Sequence, residues 1–320
     1  MKAVVVTEFG GPEVLNLIDV PVPTISDVEV LVRVKAVGVN PVDTYLRSGN
    51  HAHAPQLPYT PGKDAAGVIE SVGKRVTDFA PGDRVYTADS MTGTYAEFAV
   101  CTIEQLGHLP ERVSFEQGAG IWTPYATAYR ALFQKAAIKD AETLLVHGAS
   151  GGVGIASMQW ARSKGVTVIG TAGSKKGFDL VLNEGAQFAF DHNDPSHFEA
   201  IKTATAGVGV DVIVEMLANE NLEKDFNALA MFGRIVVVGS RGRLDFTPRL
   251  AMTKDVTIYG MSLFNTPTTD RDSIKQAIFN GISEGALKPV VGDVLKLSEA
   301  AEAHTRIMDR SALGKIVLVL

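Results

Sequence analysis

Residues 149–154, with the sequence Ala-Ser-Gly-Gly-Val-Gly, form a run of small side chains between an apolar segment and a helical pattern. Their spacing follows the dinucleotide fingerprint G-x-G-x-x-G, with Ala149 in the first position. Such a turn lets the backbone approach a pyrophosphate, whose charge is stabilised by the free N–H groups and dipole of the next helix. The run predicts a nicotinamide-dinucleotide site. The alternative is an ordinary tight strand–helix turn.

The residues after the predicted second strand discriminate between NAD and NADP. An NAD site places Asp or Glu there to bond the ribose hydroxyls, and this chain has Ser174, Lys175 and Lys176 instead. Lysines could neutralise a 2′-phosphate that an acidic side chain would repel. The pattern therefore favours NADPH, with a solvated helix start as the alternative for the two lysines.

The elements around these residues alternate between strand and helix patterns, which is typical of a doubly wound α/β fold with a parallel Rossmann sheet. The predicted strands of this sheet are Thr143–His147, Thr167–Thr171, Phe188–Asp191, Val210–Glu215, Arg234–Val238 and Val256–Tyr259. The first third instead has short strands separated by Pro and Gly, which indicates a mostly β domain. With 320 residues, two domains are expected. We predict a Rossmann domain at 123–264 and a discontinuous mostly β domain at 1–122 and 265–320.

The last segment is too small for a domain of its own, and we expect it to return to the β domain. The pattern predicts a helix over Asp270–Glu284, a strand near Val290–Val294 and a helix over Ser298–Met308. Ser298 is the predicted N-cap of that last helix, because serine is a preferred capping residue. A strand pattern ends the chain.

Composition excludes several classes of protein. The net charge of −6 argues against a surface built for nucleic acid or anionic membrane. Cys101 is the sole cysteine, so neither an intramolecular disulfide nor a four-cysteine zinc lobe can form. No window has 18 uninterrupted apolar residues, and the N-terminal apolar run is too short for a signal sequence. We expect a cytoplasmic protein with no membrane span.

Several motifs in the same order along the chain carry a family resemblance. The matching segments are Glu8–Leu15, Gly38–Tyr45, Leu57–Gly62, Pro124–Leu132, His147–Gly154, Glu215–Asn219 and Val237–Gly242. The whole chain resembles the zinc-free branch of the medium-chain dehydrogenase/reductase superfamily, and more closely the zeta-crystallin type of NADPH:quinone oxidoreductase. The resemblance implies a GroES-like catalytic domain, a Rossmann domain and a cleft between them for nicotinamide and substrate.

The resemblance also implies a set of cofactor contacts. Ser150, Gly151, Gly152 and Val153 would cradle the pyrophosphate, and Gly173, Ser174 and Lys175 or Lys176 would meet the adenosine ribose phosphate. The remaining implied contacts are His192 beside the adenine, Asn221, the segment Gly239, Ser240 and Arg241, and Met261, Ser262 and Leu263 at the nicotinamide carboxamide. His192 and Arg241 could instead be surface residues, and Asn221 could be a helix cap.

The zinc ligands of the alcohol dehydrogenases have no counterpart here. Their C-G-x-D and G-H-E segments correspond to Val39–Asp43 and Gly62–Asp64, which lack both the thiolate and the imidazole. A tetrahedral zinc site cannot be assembled without such ligands, so we predict no metal. The pair His51 and His53 forms an H-x-H motif, but it lies in a predicted loop with no third ligand nearby.

Without a metal, hydrogen-bond donors must stabilise the charge that develops on the acceptor oxygen. Tyr45 and Asn40 are the predicted donors, and the resemblance places Tyr45 beside the nicotinamide and substrate. Packing and turn roles are the alternatives for these two residues, and Thr127 could contact the nicotinamide or only pack its helix. The substrate would be a quinone, or an enone or alkenal.

Two further roles remain open. Some zeta-crystallin relatives bind RNA in competition with NADPH, which the net charge disfavours as a main role, and others are abundant lens proteins. The family usually associates through an edge strand of its Rossmann sheet, so a homodimer or homotetramer is expected.

Overall fold

The computed structural model describes residues 1–309 and 313–320. Its strands are β1 (Lys2–Val5), β2 (Asn16–Asp19), β3 (Glu29–Gly38), β4 (Asp64–Val72), β5 (Arg84–Thr87), β6 (Phe98–Thr102), β7 (Leu106–His108), β8 (Thr143–Val146), β9 (Thr167–Ala172), β10 (Phe188–Asp191), β11 (Val210–Glu215), β12 (Leu229–Val237), β13 (Thr257–Gly260), β14 (Val291–Lys296) and β15 (Lys315–Val319). Its α-helices are α1 (Pro41–Arg47), α2 (Phe115–Gly118), α3 (Trp122–Tyr129), α4 (Gly152–Arg162), α5 (Lys175–Asn183), α6 (His197–Ala204), α7 (Ala218–Ala228), α8 (Pro248–Met252), α9 (Thr268–Glu284) and α10 (Ala300–Arg306).

The chain divides into two compact units. The first contains Met1–Thr123 and Pro289–Leu320, and the second contains Pro124–Lys288. The first unit is thus discontinuous, but its second segment starts later than the predicted residue 265. The reason is α9, which packs in the second unit. A Cβ at Gly281 of α9 would lie 2.7 Å from Leu287 and 3.6 Å from Trp160.

The first unit is mostly β. Its larger sheet has the order β14-β15-β3-β4-β5-β7, with β6 also paired to β3, and β1 and β2 form a separate antiparallel pair. The alternating pattern of β3 buries Val30, Val32 and Val34, because successive side chains of a strand point to opposite faces. Cys101 of β6 is wholly buried in the same core, as expected for a small apolar side chain.

The second unit contains a six-stranded parallel sheet with the order β10-β9-β8-β11-β12-β13. In order of appearance this is 3-2-1-4-5-6, the arrangement of the Rossmann fold, so the predicted fold class is confirmed. Its strands bury continuous apolar runs, including Leu145, Ile213 and Ile235, because helices cover both faces of the sheet. The strand order reverses between β8 and β11, where ligands of this fold bind outside the carboxyl ends of the strands.

Two local expectations need correction. Ser298 does not cap the last helix, because residues Leu297–Glu299 form a 3₁₀ turn and Glu299 is the N-cap of α10. The predicted first Rossmann helix, residues 155–164, begins earlier, since α4 starts at Gly152 directly after the small-residue turn.

Among residues 1–309 and 313–320, no helix is both long enough and apolar enough to cross a membrane.

Candidate functional site

The turn between β8 and α4 is held by the end of the neighbouring strand β9. The backbone N–H of Ala149 donates to the carbonyl of Thr171 at 2.8 Å, and the N–H of Gly148 donates to its Oγ1 at 3.2 Å. Gly151 is the N-cap of α4, in an extended conformation. The first N–H groups of a helix have no partner within the helix, so this turn can donate to an anion at the switch point of the sheet.

Gly154 lets α4 approach the turn closely. A Cβ at this position would lie 2.6 Å from both the Cα of Ala149 and the carbonyl oxygen of Gly148. Glycine is therefore required for packing of the helix against the strand, which is the role of the third glycine of the dinucleotide fingerprint. The strand–turn–helix predicted from residues 149–154 is present with the expected geometry.

The residues predicted at the ribose phosphate lie around the first turn of α5. The Oγ of Ser174 caps that helix by accepting the N–H of Gly177 at 3.1 Å. A Cβ at Gly177 would lie 3.2 Å from Ser174 Oγ and 3.5 Å from Ser150 Oγ, so the two serines face the same region. A Cβ at Gly173 would lie 2.6 Å from Nε2 of His192. The fold thus brings Ser150, Gly173, Ser174 and His192 together.

Lys175 and Lys176 open α5, with both side chains exposed. The Lys175 side chain is 89% exposed, and its Nζ lies 3.6 Å from Asp179 one turn along the helix. Positive charge at a helix N-terminus opposes the helix dipole. The first turn of α5 also has no acidic residue, so the two lysines add positive charge to this end of the helix.

The later segments that were predicted to contact the cofactor follow β12 and β13. A Cβ at Gly239, two residues after the end of β12, would lie 2.4 Å from the carbonyl oxygen of Met216, so only glycine fits there. The N–H of Arg241 donates to Oδ1 of Asn219 at 2.8 Å. The N–H of Met261 donates to the carbonyl of Val237 at 3.1 Å, which continues the pairing of β13 with β12. Ser262 is the N-cap of a short 3₁₀ turn, Leu263–Asn265.

Two other predicted contacts lie within helices. Thr127 is buried in α3, at 6% exposure. Asn221 lies in the interior of α7, whose N-cap is Leu217, so the alternative that Asn221 caps a helix is wrong. Its Nδ2 donates to Oε1 of Glu215 at 3.2 Å.

In the first unit, the two predicted donors belong to α1. Tyr45 is half-buried, and its backbone carbonyl accepts hydrogen bonds from Ser48 and Asn50 at the end of the helix. Asn40 is the N-cap of α1, and its backbone N–H donates to Oδ2 of Asp43 at 2.9 Å.

The side chain of Asn40 lies in a buried hydrogen-bonded group with Asp64 and Lys315. Nδ2 of Asn40 donates to Oδ2 of Asp64 at 3.0 Å and to the carbonyl of Gly38 at 3.4 Å, while Oδ1 accepts from Lys315 Nζ at 2.5 Å. Lys315 Nζ also lies 3.1 Å from Oδ2 of Asp64. The amide of Asn40 is thus engaged by protein groups on both its nitrogen and its oxygen.

A second buried chain of hydrogen bonds lies beneath α1. Arg47 Nη1 donates to Nδ1 of His304 at 3.2 Å, Nε2 of His304 lies 3.0 Å from the Tyr95 hydroxyl, and that hydroxyl donates to Oδ2 of Asp43 at 3.4 Å. Burial and the Arg47 charge lower the pKa of His304 to about 3. Burial raises the pKa of Asp43 to about 6, although Asn40 and Lys315 oppose the change.

Comparison with known proteins gives consistent matches along the chain. Residues 26–135 match the family model described as the alcohol dehydrogenase GroES-like domain, and residues 152–278 match the model described as zinc-binding dehydrogenase. Human quinone oxidoreductase is 48% identical over 322 residues, which cover 100% of this chain and 98% of the human protein. The quinone oxidoreductase of Pseudomonas aeruginosa is 33% identical, covering 99% of each chain.

The chain belongs to the quinone oxidoreductase family. It is an oxidoreductase of the medium-chain dehydrogenase/reductase superfamily. Among solved structures, Escherichia coli quinone oxidoreductase in complex with NADPH is similar with a TM-score of 0.90 and 29% identity, covering 100% of both chains. A protein described as an NAD-dependent alcohol dehydrogenase is similar with a TM-score of 0.93 and 31% identity, also covering 100% of both.

Zinc does not fit the residues that this chain has at the positions of the zinc ligands of the alcohol dehydrogenases. The thiolate position is occupied by Asn40, whose oxygen accepts from the ammonium of Lys315. The imidazole position is occupied by Lys63, whose Nζ lies 2.7 Å from Asp89. Two ammonium groups are not ligands for a cation, and an amide is a weak ligand for zinc.

Sequence reasoning assigns no site role to two buried polar residues, Lys315 and Glu215. Lys315 falls in the strand pattern that ends the chain, and Glu215 ends a predicted strand and begins one of the segments that match the family. An acidic residue at the carboxyl end of an apolar strand is a signal that could have drawn attention to Glu215. Ligand atoms of Glu215, His147 and Asp225 lie within 4.8 Å of one another. Because Nε2 of His147 is 2.8 Å from Asp225 Oδ1, we interpret them as a hydrogen-bonded ion cluster.

Proposed function

We propose that this protein is an NADPH-dependent quinone reductase that works without zinc. The observation that carries the proposal is the first turn of α5, where Ser174, Lys175 and Lys176 take the place of the acidic residue of an NAD site. This turn lies beside Ser150 of the pyrophosphate turn. The 48% identity to human quinone oxidoreductase over the whole chain supports the substrate class.

NADPH, when bound, supplies a hydride from its reduced nicotinamide ring. The chain's own residues have to bind and orient it. The N–H groups at the start of α4 and the hydroxyl of Ser150 would hold the pyrophosphate. The two lysines and Ser174 would hold the 2′-phosphate, with His192 on the adenine side. Asn221, Thr127, Gly239–Arg241 and Met261–Leu263 complete the proposed contacts.

The acceptor oxygen needs a hydrogen-bond donor as negative charge develops on it. We propose the phenol of Tyr45 for this role, because it is half-buried and the family resemblance implies a position beside the nicotinamide. Asn40 would have to give up a bond to Asp64 or Gly38 to donate to a substrate. The contacts of Asn40 support a part in holding the start of α1, the helix that carries Tyr45.

The test is NADPH oxidation with 1,4-benzoquinone and 9,10-phenanthrenequinone, compared with 2-alkenals, with NADH as the alternative donor and with a chelator. The proposal expects quinone turnover with NADPH, weak turnover with NADH and no effect of the chelator. Faster turnover of 2-alkenals would make the protein an enone reductase. Loss of activity with the chelator would overturn the metal-free mechanism.

We also propose that the protein associates through the edge of its Rossmann sheet. Strand β13 is an edge strand, and exposed apolar side chains lie on β13 and on the segments beside it: Met231, Phe232, Met252 and Ile258. Phe232 is 71% exposed and has a φ of +61°, a strained conformation for a bulky residue. Light scattering of the wild type and of Ile258→Lys tests this, and a monomeric wild type would overturn it.

A further inference from the structure

A buried ion cluster lies directly behind the proposed cofactor site of the second unit. It consists of His147, which follows β8, Glu215, which ends β11, and Asp225 of α7, and each of these side chains is at most 3% exposed. Nε2 of His147 lies 2.8 Å from Oδ1 of Asp225 and 3.5 Å from Oε2 of Glu215. The cluster thus connects β8, β11 and α7. The sheet order reverses between β8 and β11, and α7 is the helix that follows β11.

Glu215 connects this cluster to the surface of the site. Its Oε1 accepts hydrogen bonds from the backbone N–H of Leu217 and from Nδ2 of Asn221. Leu217 is the N-cap of α7, and Asn221 lies within the first turns of that helix. A single carboxylate therefore fixes both the start of α7 and the orientation of the Asn221 amide. This bond uses one of the two N–H groups of Nδ2, so the amide keeps a second N–H and Oδ1 with which to bind a ligand.

The charge on Glu215 has a clear source of stabilisation. Burial lowers the pKa of His147, but Glu215 and Asp225 outweigh burial and raise it to about 9, so the ring is an imidazolium at neutral pH. Burial raises the pKa of Glu215 to about 7, while the His147 charge lowers it. The imidazolium thus offsets part of the cost of burying this carboxylate, whose pKa of about 7 leaves it partly ionised at neutral pH.

We propose that Glu215 is a positioning residue for NADPH, acting through Asn221, with His147, itself hydrogen-bonded to Asp225, holding its carboxylate in place. Buried hydrogen-bonded neighbours that lock the rotamer of a binding residue reduce the ordering that a ligand must impose. The inference rests on the proposed NADPH site and adds the residue that organises part of it. Glu215 need not touch the cofactor.

The experiment measures the Kd of NADPH by fluorescence titration, together with KM and kcat, for Glu215→Ala, Asn221→Ala and the double variant. Each single variant should raise the Kd of NADPH about tenfold, the size of one charge-assisted hydrogen bond. The kcat at saturating NADPH should change much less. The double variant should bind no more weakly than Asn221→Ala alone, because both changes remove one interaction. Fully additive losses would overturn the proposal.

Two further variants separate positioning from general damage. Glu215→Gln keeps an oxygen that can accept from Leu217 and Asn221, so it should recover most of the lost affinity. The control variant Asp211→Ala changes a residue at the other end of β11, where Oδ2 of Asp211 accepts the N–H of Thr143 at 2.8 Å. It should alter thermal stability but leave the Kd of NADPH unchanged. An affinity loss in Asp211→Ala equal to that in Glu215→Ala would make the effect merely structural.

If Glu215→Ala does not fold, a crystal structure of the wild type with NADPH decides the question. The expected result is Asn221 still bonded to Glu215 and in contact with the cofactor. An Asn221 side chain turned away from Glu215 in that complex would overturn the inference. Wild-type protein that fails to bind NADPH would instead reject the proposed function itself.

Discussion

Nζ of Lys315 lies 3.1 Å from Oδ2 of Asp64, and both side chains are almost wholly buried. Removing the ammonium leaves a carboxylate in a site with little access to water. Lys315→Met should therefore lower the free energy of unfolding by about 3–5 kcal/mol, measured by urea denaturation. The matched control is Lys2→Met, whose partner Asp19 is exposed, and it should change stability little. Equal urea midpoints for the two variants would contradict this.

Gly154→Ala should destabilise the protein before any ligand is added. Its Cβ would lie 2.6 Å from backbone atoms of the turn, and overpacking of this kind costs about 1–3 kcal/mol. Gly151→Ala is the contrasting change, since its Cβ would lie 3.5 Å from the Gly148 carbonyl, an ordinary contact. It should keep the wild-type Tm without ligand but lose the stabilisation that NADPH gives. Thermal melts of both variants with and without NADPH make the comparison.

Lys175→Glu combined with Lys176→Glu should raise the KM for NADPH about tenfold or more, because two charge-assisted contacts become repulsions. The KM for NADH should stay nearly constant, since NADH has no 2′-phosphate. Lys164→Glu, which changes an exposed lysine beyond the far end of α4, is the control for reversing one charge away from the proposed phosphate site. Equal changes in both KM values would remove the lysines from the phosphate site.

Tyr45→Phe should lower kcat for quinones by about tenfold, the effect expected for loss of one hydrogen bond to a developing oxyanion. The Kd of NADPH should remain within about twofold of the wild type, because the ring is retained. Tyr129→Phe is the control, since Tyr129 packs its ring against Phe133 and Trp160. Unchanged quinone turnover in Tyr45→Phe would end the proposed donor role.

His304 should make the protein less stable in acid. Its pKa is lowered from 6.5 to about 3 by burial and by Arg47, so between these values the unfolded chain binds a proton that the folded chain does not. Its contribution is present above pH 6.5 and is lost progressively as the pH falls towards 3.

The raised pKa of Asp43, about 6, acts in the opposite direction, so the wild type must be compared with a variant. His304→Gln can still accept from Arg47 and donate to Tyr95 but does not titrate. Its Tm should fall less steeply than that of the wild type between pH 7 and pH 4. Parallel curves would show that His304 does not titrate on unfolding in this range.

Much of the fold could be predicted from the sequence, because the local strand and helix patterns agree with the elements that form the buried parallel sheet. Alternating strand and helix patterns predicted the parallel sheet, and the run at 149–154 located the turn where Gly154 meets Ala149. The lysines after β9 were visible because they replace an expected acid. These features depend on residues close together in the chain, where periodicity and spacing carry the information.

The boundary after α9 and the cap of α10 could not be read in this way. Periodicity shows that α9 is a helix, but not which unit buries its apolar face. Likewise, Ser298 is a good capping residue, but it lies within a 3₁₀ turn, one position before Glu299, the N-cap of α10. Propensity is a weak guide wherever packing between distant segments sets where an element begins or belongs.

The sequence by itself therefore determined the fold class and the dinucleotide turn. It also showed that lysines take the place of an acidic residue at the start of α5. Only the tertiary structure showed that Asn40 meets Lys315, 275 positions away, and that Glu215 stands between His147 and Asn221. The physical reason is that buried polar groups must find partners wherever the fold brings them. Those partners come from distant segments and follow no local period.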